Sequence, residues 1–495
     1  MAGTLLAAVR IAVGLMFLVK LAHTIHGRDV VWAHRRPFAH HAPWLFPLAL
    51  AALTLAAVCV TLGLWTGPSA LAMWALNLFL FYYASLYGAE DNVFQAMALY
   101  LALAGAGAAW SLDRALGLAD WGRLPPGTVI PELALATHLG LLFFSAGITK
   151  LSSPMWRRGL GVYYFFLMPL HRRLGTAWLT RHEGLMRAMN YGVLALQLAA
   201  LPAMLLNAVP LGLIAWAALT GFCVLLSTVF VFTWLGEILL VAMAVIGSVL
   251  ISSGTMGLAE RWLRDLATLS HPRDAGLAAG ILITLVACAW TGLVNHQSPL
   301  LRHPVVRAVH VACRYLARYV WGFVPTELFT EAHLGGPVAY RVEAEWVDGR
   351  RAEVFRIFSP EAMAGPDRIW RPTFIEVTQY KIAEACMELD QSGRVEQPQR
   401  RQFLLQLSRH IGRQAASRFG APPVAIVFKT LQLVPPADYA GASTWYLDQP
   451  WIDAFRVHGQ DGHLTEIEPL ARPILHAPTG RTLTRISFAF NPAAT

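Results

Sequence analysis

Charge is scarce in this sequence, and acid is the scarcer sign: 30 Asp and Glu stand against 39 Lys and Arg, 14% of 495 residues in all, while 56% are hydrophobic. A chain so poor in charge does not have the polar surface of an ordinary soluble enzyme. Cysteine is sparse too. Cys59, Cys223, Cys288, Cys313 and Cys386 stand singly, without a CxxC pair or disulfide-like spacing, so they indicate neither a redox compartment nor a zinc site. Also missing are a phosphate loop, a Ser-His-Asp order, a paired-carboxylate hydrolase motif, internal repeats and low-complexity stretches. The net charge of +9 comes from basic residues that mostly flank apolar runs or lie in the last third. There they meet anionic headgroups at roughly 1 kcal/mol each, so membrane lipid is the expected partner and nucleic acid is not.

Long apolar runs are what the sequence has. Spans are expected near 3–25, 44–66, 69–88, 92–111, 131–151, 189–208, 211–233, 235–253 and 275–295, each suited to a hydrocarbon core of roughly 30 Å. The first run, from Leu5, has no basic segment before it and no small-residue cleavage pattern after it, which predicts a retained helix and not a signal peptide. The aromatic stretch from Leu160 to Leu170 is too short to span and suits an interfacial or re-entrant segment. The fold class is therefore an α-helical polytopic membrane protein of eight to nine transmembrane helices with a small C-terminal α+β soluble domain.

Three regions follow from the change in composition: a membrane domain over 1–296, an amphipathic interfacial connector over 297–325, and a soluble domain over 326–495. The connector carries Arg302, Arg307, Arg314 and Arg318 at close helical spacing. In the soluble domain a β-hairpin is expected around 338–358, with Asp348-Gly349 supplying two positive-φ positions of a tight turn. Helices are expected over 373–389 and 398–418, and a strand in PVAIVFKTLQLV. The sequence sets no oligomeric state.

Polar residues within the runs are costly in lipid, so Lys20, Asn77, Gln95, His138, Gln197 and Glu237 are expected to face the bundle interior. The histidines at 23, 26, 34, 40 and 41 suggest metal binding, but no second histidine cluster completes a set and neighbouring arginines repel a cation, so no metal is expected. Lys150 closes the run from Pro131, about 30 Å of helix. It is either an interfacial amine whose head snorkels to water, with Trp156 as an aromatic anchor, or a functional base.

The segment AGITKLSSPMWRRG resembles the AGxxKLxxxW segment of vitamin K-dependent γ-glutamyl carboxylases and of the wider horizontally transferred transmembrane family. WSLDR at 110–114 is similar to the aromatic-Ser-x-Asp that follows the corresponding family helix. YVWGF at 319–323, EAEWVDGRRAEV, RIWRP at 369–373 and QYKIAEA follow in the carboxylase order. The resemblance implies a membrane enzyme that oxidises a reduced vitamin K or menaquinone-type naphthohydroquinone with O2. The strong base so formed takes a γ-proton from a peptide glutamate, and the carbanion captures CO2. It also implies that Lys150 deprotonates the hydroquinone, a role suited to an amine whose charged form is disfavoured at an apolar helix end. Trp156 and Gly159 would hold the following turn, and Tyr163 and Tyr164 lie in the segment that would cover the site.

Where the carboxylases have a functional histidine, this sequence has Glu90, Asp91 and Asn92. Glu90 or Asp91 is expected to face Lys150 and orient it. The substitution keeps two other readings open: quinol oxygenation without carboxylation, and a non-catalytic membrane factor for maturation or export of a secreted peptide. The implied location is a bacterial inner membrane. The basic segments 26–43, 152–188 and the end after 295 fall on one side, which the positive-inside rule makes cytoplasmic, whereas the resemblance implies an external soluble domain.

Overall fold

The computed structural model describes residues 2–26, 44–83, 89–118, 129–167, 182–206, 211–228, 234–253, 256–294, 298–323, 337–356, 398–432, 451–459 and 464–469. The apolar runs fold as helices whose ends are set by turn chemistry. In order they are α1 (Ala2–His26), α2 (Leu45–Leu62), α3 (Thr66–Tyr83), α4 (Ala89–Leu103), the single turn α5 (Leu112–Ala115), α6 (Ile130–Ser152), the short helices α7 (Pro154–Arg157) and α8 (Gly161–Leu167), α9 (Glu183–Leu205), α10 (Leu211–Thr228), α11 (Leu235–Ser253), α12 (Leu258–Ala267) and α13 (Pro272–Leu293). Seven of them, α1, α2, α6, α9, α10, α11 and α13, are long and apolar enough to cross a membrane. The chain is a mostly helical polytopic membrane protein by that measure.

Of the two remaining expected spans, that near 69–88 folds as α3, which is not among the seven, and that at 92–111 has a different place. α4 has 15 residues, about 22 Å of helix, and every residue from Glu90 to Ala102 is buried. It is enclosed by α1, α3, α6, α11 and a later helix, α14 (Pro304–Trp321). A helix apolar nearly all round is a core element, not a lipid-facing one. The expected span 92–111 is corrected accordingly, since the helix starts at Ala89 and stops at Leu103. Gly105, at φ +63°, turns the chain there, and Gly107 passes so close that a Cβ would lie 2.9 Å from Asp113 Oδ2. The span placed at 189–208 starts earlier, at Glu183.

α14 also departs from a purely interfacial helix. Its arginine-bearing body is amphipathic, but its C-terminal turn is buried in the bundle, with Trp321 and Phe323 each 1% exposed. Trp74 Nε1 donates to the Val320 carbonyl at 2.8 Å, and Trp321 Nε1 donates to Thr284 Oγ1 at 2.8 Å. Gly322 closes the helix at φ +67°, and a Cβ on it would lie 2.6 Å from the Asn92 carbonyl oxygen. A glycine is required there on both counts.

The C-terminal region holds an antiparallel five-stranded sheet in the order β2-β1-β3-β4-β5: β1 (Pro337–Glu345), β2 (Arg351–Arg356), β3 (Ala425–Gln432), β4 (Trp451–His458) and β5 (Glu466–Pro469). Helix α15 (Pro398–Phe419) buries Leu404, Leu407, Ile411 and Ala415, a helical stripe, and packs on β2, β3 and β5. The hairpin expected at Asp348-Gly349 joins β1 to β2, but only Gly349 has positive φ, at +77°. Gly349 N donates to Trp346 O at 2.9 Å and Trp346 N to Arg350 O at 3.0 Å. That is a three-residue loop with a type I turn and a glycine bulge, not a two-residue turn. The helix expected over 373–389 and the RIWRP and QYKIAEA motifs lie outside the described residues.

Candidate functional site

The first turn of the central helix α4 carries Glu90, Asp91 and Asn92, all buried. Asp91, at 0% exposure, forms an ion pair with Lys20 of α1. Lys20 Nζ also lies 4.8 Å from the centroid of the Phe94 ring and 5.5 Å from that of Phe17. The pairing has a clear cause: each charge alone would be stranded in an apolar interior, and each lowers the other's desolvation cost. Glu90 or Asp91 was expected to face Lys150; Asp91 pairs with Lys20. Of the other interior polar residues expected from the sequence, Asn77, Gln95, His138 and Gln197 are buried, and Glu237 is half-buried.

Lys150 stands in the last turn of α6 and is 4% exposed. A snorkelling anchor would present its ammonium to the surface. Instead the Lys150 ammonium lies 5.3 Å from the centroid of the Trp156 ring, within cation–π range, and Trp156 is itself buried. The sequence between them builds this contact. α6 ends at Ser152, Ser153 in extended conformation caps α7 by accepting from Trp156 N at 3.5 Å, and Pro154 takes the first helical position. Gly159, at φ +79°, reverses the chain, and Gly161 lets α8 approach so closely that a Cβ there would lie 2.3 Å from Trp156 Cδ2.

A residue that the sequence did not single out fixes the turn. Asn190 of α9, fully buried, donates from Nδ2 to the Trp156 carbonyl at 2.8 Å and accepts from Val162 N at 3.2 Å. Tyr191 Oη adds a bond to the Arg157 carbonyl at 3.0 Å. Tyr163 is buried under the turn at 1% exposure; the side chain of Tyr164 lies outside the described residues. The only signal of Asn190 in sequence was an amide inside an apolar run.

α4 packs against α6. The end of α1 meets the start of α4 through Lys20 and Asp91. Gly322 rests on Asn92 and Gln95, while Phe323 and Ser145 of α6 both border Gly292 near the end of α13. Lys150 follows Ser145 by about one and a half turns. The Asn92 backbone lies against Gly322, and its buried Oδ1 has no hydrogen-bond partner among the described residues. WSLDR is not part of this site. Ser111 caps α5, and Asp113 caps α3 across 47 residues, accepting from Trp65 N at 2.6 Å, Thr66 N at 2.8 Å and Thr66 Oγ1 at 2.7 Å.

The arrangement is a buried amine against an indole at the end of α6, and a buried ion pair of an amine and a carboxylate where α1 meets the start of α4. Polar groups of this kind in a low-dielectric interior can bind an amphiphilic molecule by its polar end and move a proton to or from it. No protein-family model matches the chain, and no curated protein or solved structure matches it.

Proposed function

We propose that the chain is a membrane enzyme that works on a reduced isoprenoid naphthoquinone in the manner of the vitamin K-dependent γ-glutamyl carboxylases. Lys150 takes a proton from the hydroquinone hydroxyl, and the Trp156–Gly159 turn and α8 exclude water above it. The observation that carries this reading is the burial of Lys150 against Trp156 in a turn locked by Asn190. A solvated lysine would not need such a frame, and a base gains from it because proton transfer depends on fixed geometry. With O2 the reduced ring supplies the strong base that would remove a γ-proton from a peptide glutamate before CO2 adds. The membrane would be the bacterial cytoplasmic membrane.

A second reading, quinol oxygenation without carboxylation, is favoured by the Lys20–Asp91 ion pair. It occupies the neighbourhood where the carboxylases place a histidine, and an ion pair does not offer the same neutral donor and acceptor.

The test is epoxide formation from added naphthohydroquinone by purified wild type, Lys150→Arg and Lys150→Ala. An arginine stays protonated and cannot accept the proton, so both variants should lose turnover while keeping wild-type folding. Wild-type-like turnover in both would remove Lys150 as the base. Carbon dioxide incorporation into a glutamate peptide, measured on the wild type alone, separates the two readings.

A further inference from the structure

The body of α14 arranges its side chains in rows. His310, Ala317 and Trp321 are buried, and their spacing of seven and then four residues returns to one face of a helix. Arg307, Arg314 and Arg318 repeat the same spacing three residues earlier, which places them about 60° round the helix from the buried row. Arg307 and Arg314 are exposed and Arg318 is half-buried. Beyond the arginines the exterior turns apolar, with Val305, Val309, Val311, Tyr315 and Leu316 all exposed. The arginines therefore form a narrow stripe between the face packed on the bundle and a broad exposed apolar face.

That placement restricts what can lie against the stripe. No Asp or Glu occurs between Asp274 and Glu327, so the arginines have no local acid to balance them. Among the described residues neither Arg307 nor Arg314 has a carboxylate partner; Arg307 Nε donates to the Leu301 carbonyl at 3.1 Å, a neutral contact. In a chain with seven helices fit to cross a membrane, an exposed apolar face of this breadth is covered by acyl chains. A cation at its border then calls for an anion attached to an apolar body. An acidic phospholipid has both parts, a phosphate that matches the guanidinium fork and chains that lie along Val305, Val309 and Leu316. A soluble anion offers nothing to the apolar face, and a second copy meeting it by the same stripe would set like charge against like.

We propose that the arginine stripe and exposed apolar face of α14 dock an acidic phospholipid, and that this lipid holds the C-terminal turn of α14 in the bundle. One rigid helix links the two events. Trp321 follows Arg318 by three residues; its ring stacks on that of His138 with centroids 5.5 Å apart, and its N–H is held by Thr284 Oγ1. Phe323 meets the same imidazole edge-on at 5.8 Å. Fixing the body of α14 fixes these contacts. The phospholipid is a structural ligand, different in chemistry from the quinone proposed for Lys150, and its site does not depend on that reaction.

The probes are phosphatidylglycerol and phosphatidylcholine of equal chain length, titrated into the purified full-length protein in detergent and counted by native mass spectrometry. Wild type should bind phosphatidylglycerol about tenfold or more tightly than phosphatidylcholine. Arg307→Gln/Arg314→Gln should lose about fivefold for each arginine removed, which erases most of that preference. Arg350→Gln, at the exposed hairpin of the sheet, should bind as wild type does. Raising the salt from about 0.1 M to about 1 M shortens the screening length from about 10 Å to about 3 Å and should abolish the wild-type preference. Phosphatidylglycerol should also slow hydrogen exchange of the backbone amides of 317–323 in wild type and not in the double variant. Equal affinity of wild type for the two lipids, an undiminished preference in the double variant, or a preference insensitive to salt overturns the site. Should the double variant fail to fold, the salt dependence of the wild type decides. Phosphatidylglycerol binding without slower exchange overturns the link to the buried turn, and slower exchange with inorganic phosphate alone overturns the lipid as the ligand.

Discussion

Lys20 and Asp91 show how single residues decide what the site can be. Both are buried and paired, so removing one partner strands the other. Lys20→Met should cost about 3 kcal/mol or more, visible as a large drop in thermal unfolding midpoint of the purified protein. The double variant Lys20→Met/Asp91→Leu, which leaves no orphan charge, should recover most of that loss; a double variant as unstable as the single would refute the pairing. Asn190 makes a second case. Asn190→Ala leaves the Trp156 carbonyl and the Val162 N–H without their side-chain partner, at about 1–3 kcal/mol, and should loosen Lys150's surroundings enough to lower epoxide formation. At this scale the sequence revealed that Lys20, His138 and Gln197 point inward, because polar groups in lipid have nowhere else to go. It did not reveal who meets whom. The ion pair joins residues 71 positions apart, and neither run carries a local trace of the other.

Elements were most legible where length and composition alone decide, which is why the seven long apolar helices fall where hydropathy puts them. α4 was harder. Its C-terminal end is set by Gly105 and by the return of the chain to Asp113, and its burial on every side comes from neighbours that no window of its own sequence contains. The end of α14 was missed for the same reason: the arginine spacing marks an amphipathic helix, but the buried place of Trp321 depends on α3, α4, α6 and α13. Asp113 is the element-scale counterpart of an N-cap. It satisfies the first N–H groups of α3 from another segment, so Asp113→Ala should lower stability by about 1–2 kcal/mol and Asp113→Asn by less. Equal melting of all three proteins would show that the cap contributes nothing.

For the molecule as a whole, the proposed function fixes which way it faces. The proposed function puts the five-stranded sheet outside the cytoplasm, against the arginine count. Asp348 sits at the exposed tip of the β1–β2 hairpin, so Asp348→Cys, made where the native cysteines are replaced, reports the side directly. Labelling of intact cells by a membrane-impermeant maleimide is the expected result; labelling only after lysis would put the sheet in the cytoplasm. The buried end of α14 has one more consequence, for the order of synthesis. Val320 to Phe323 fill the space among α3, α4, α6 and α13, and they are made 27 to 30 residues after α13 ends at Leu293. Insertion of the last membrane helix therefore leaves the bundle incomplete, and the interior around His138 closes only when the ribosome has delivered the stretch leading to the sheet.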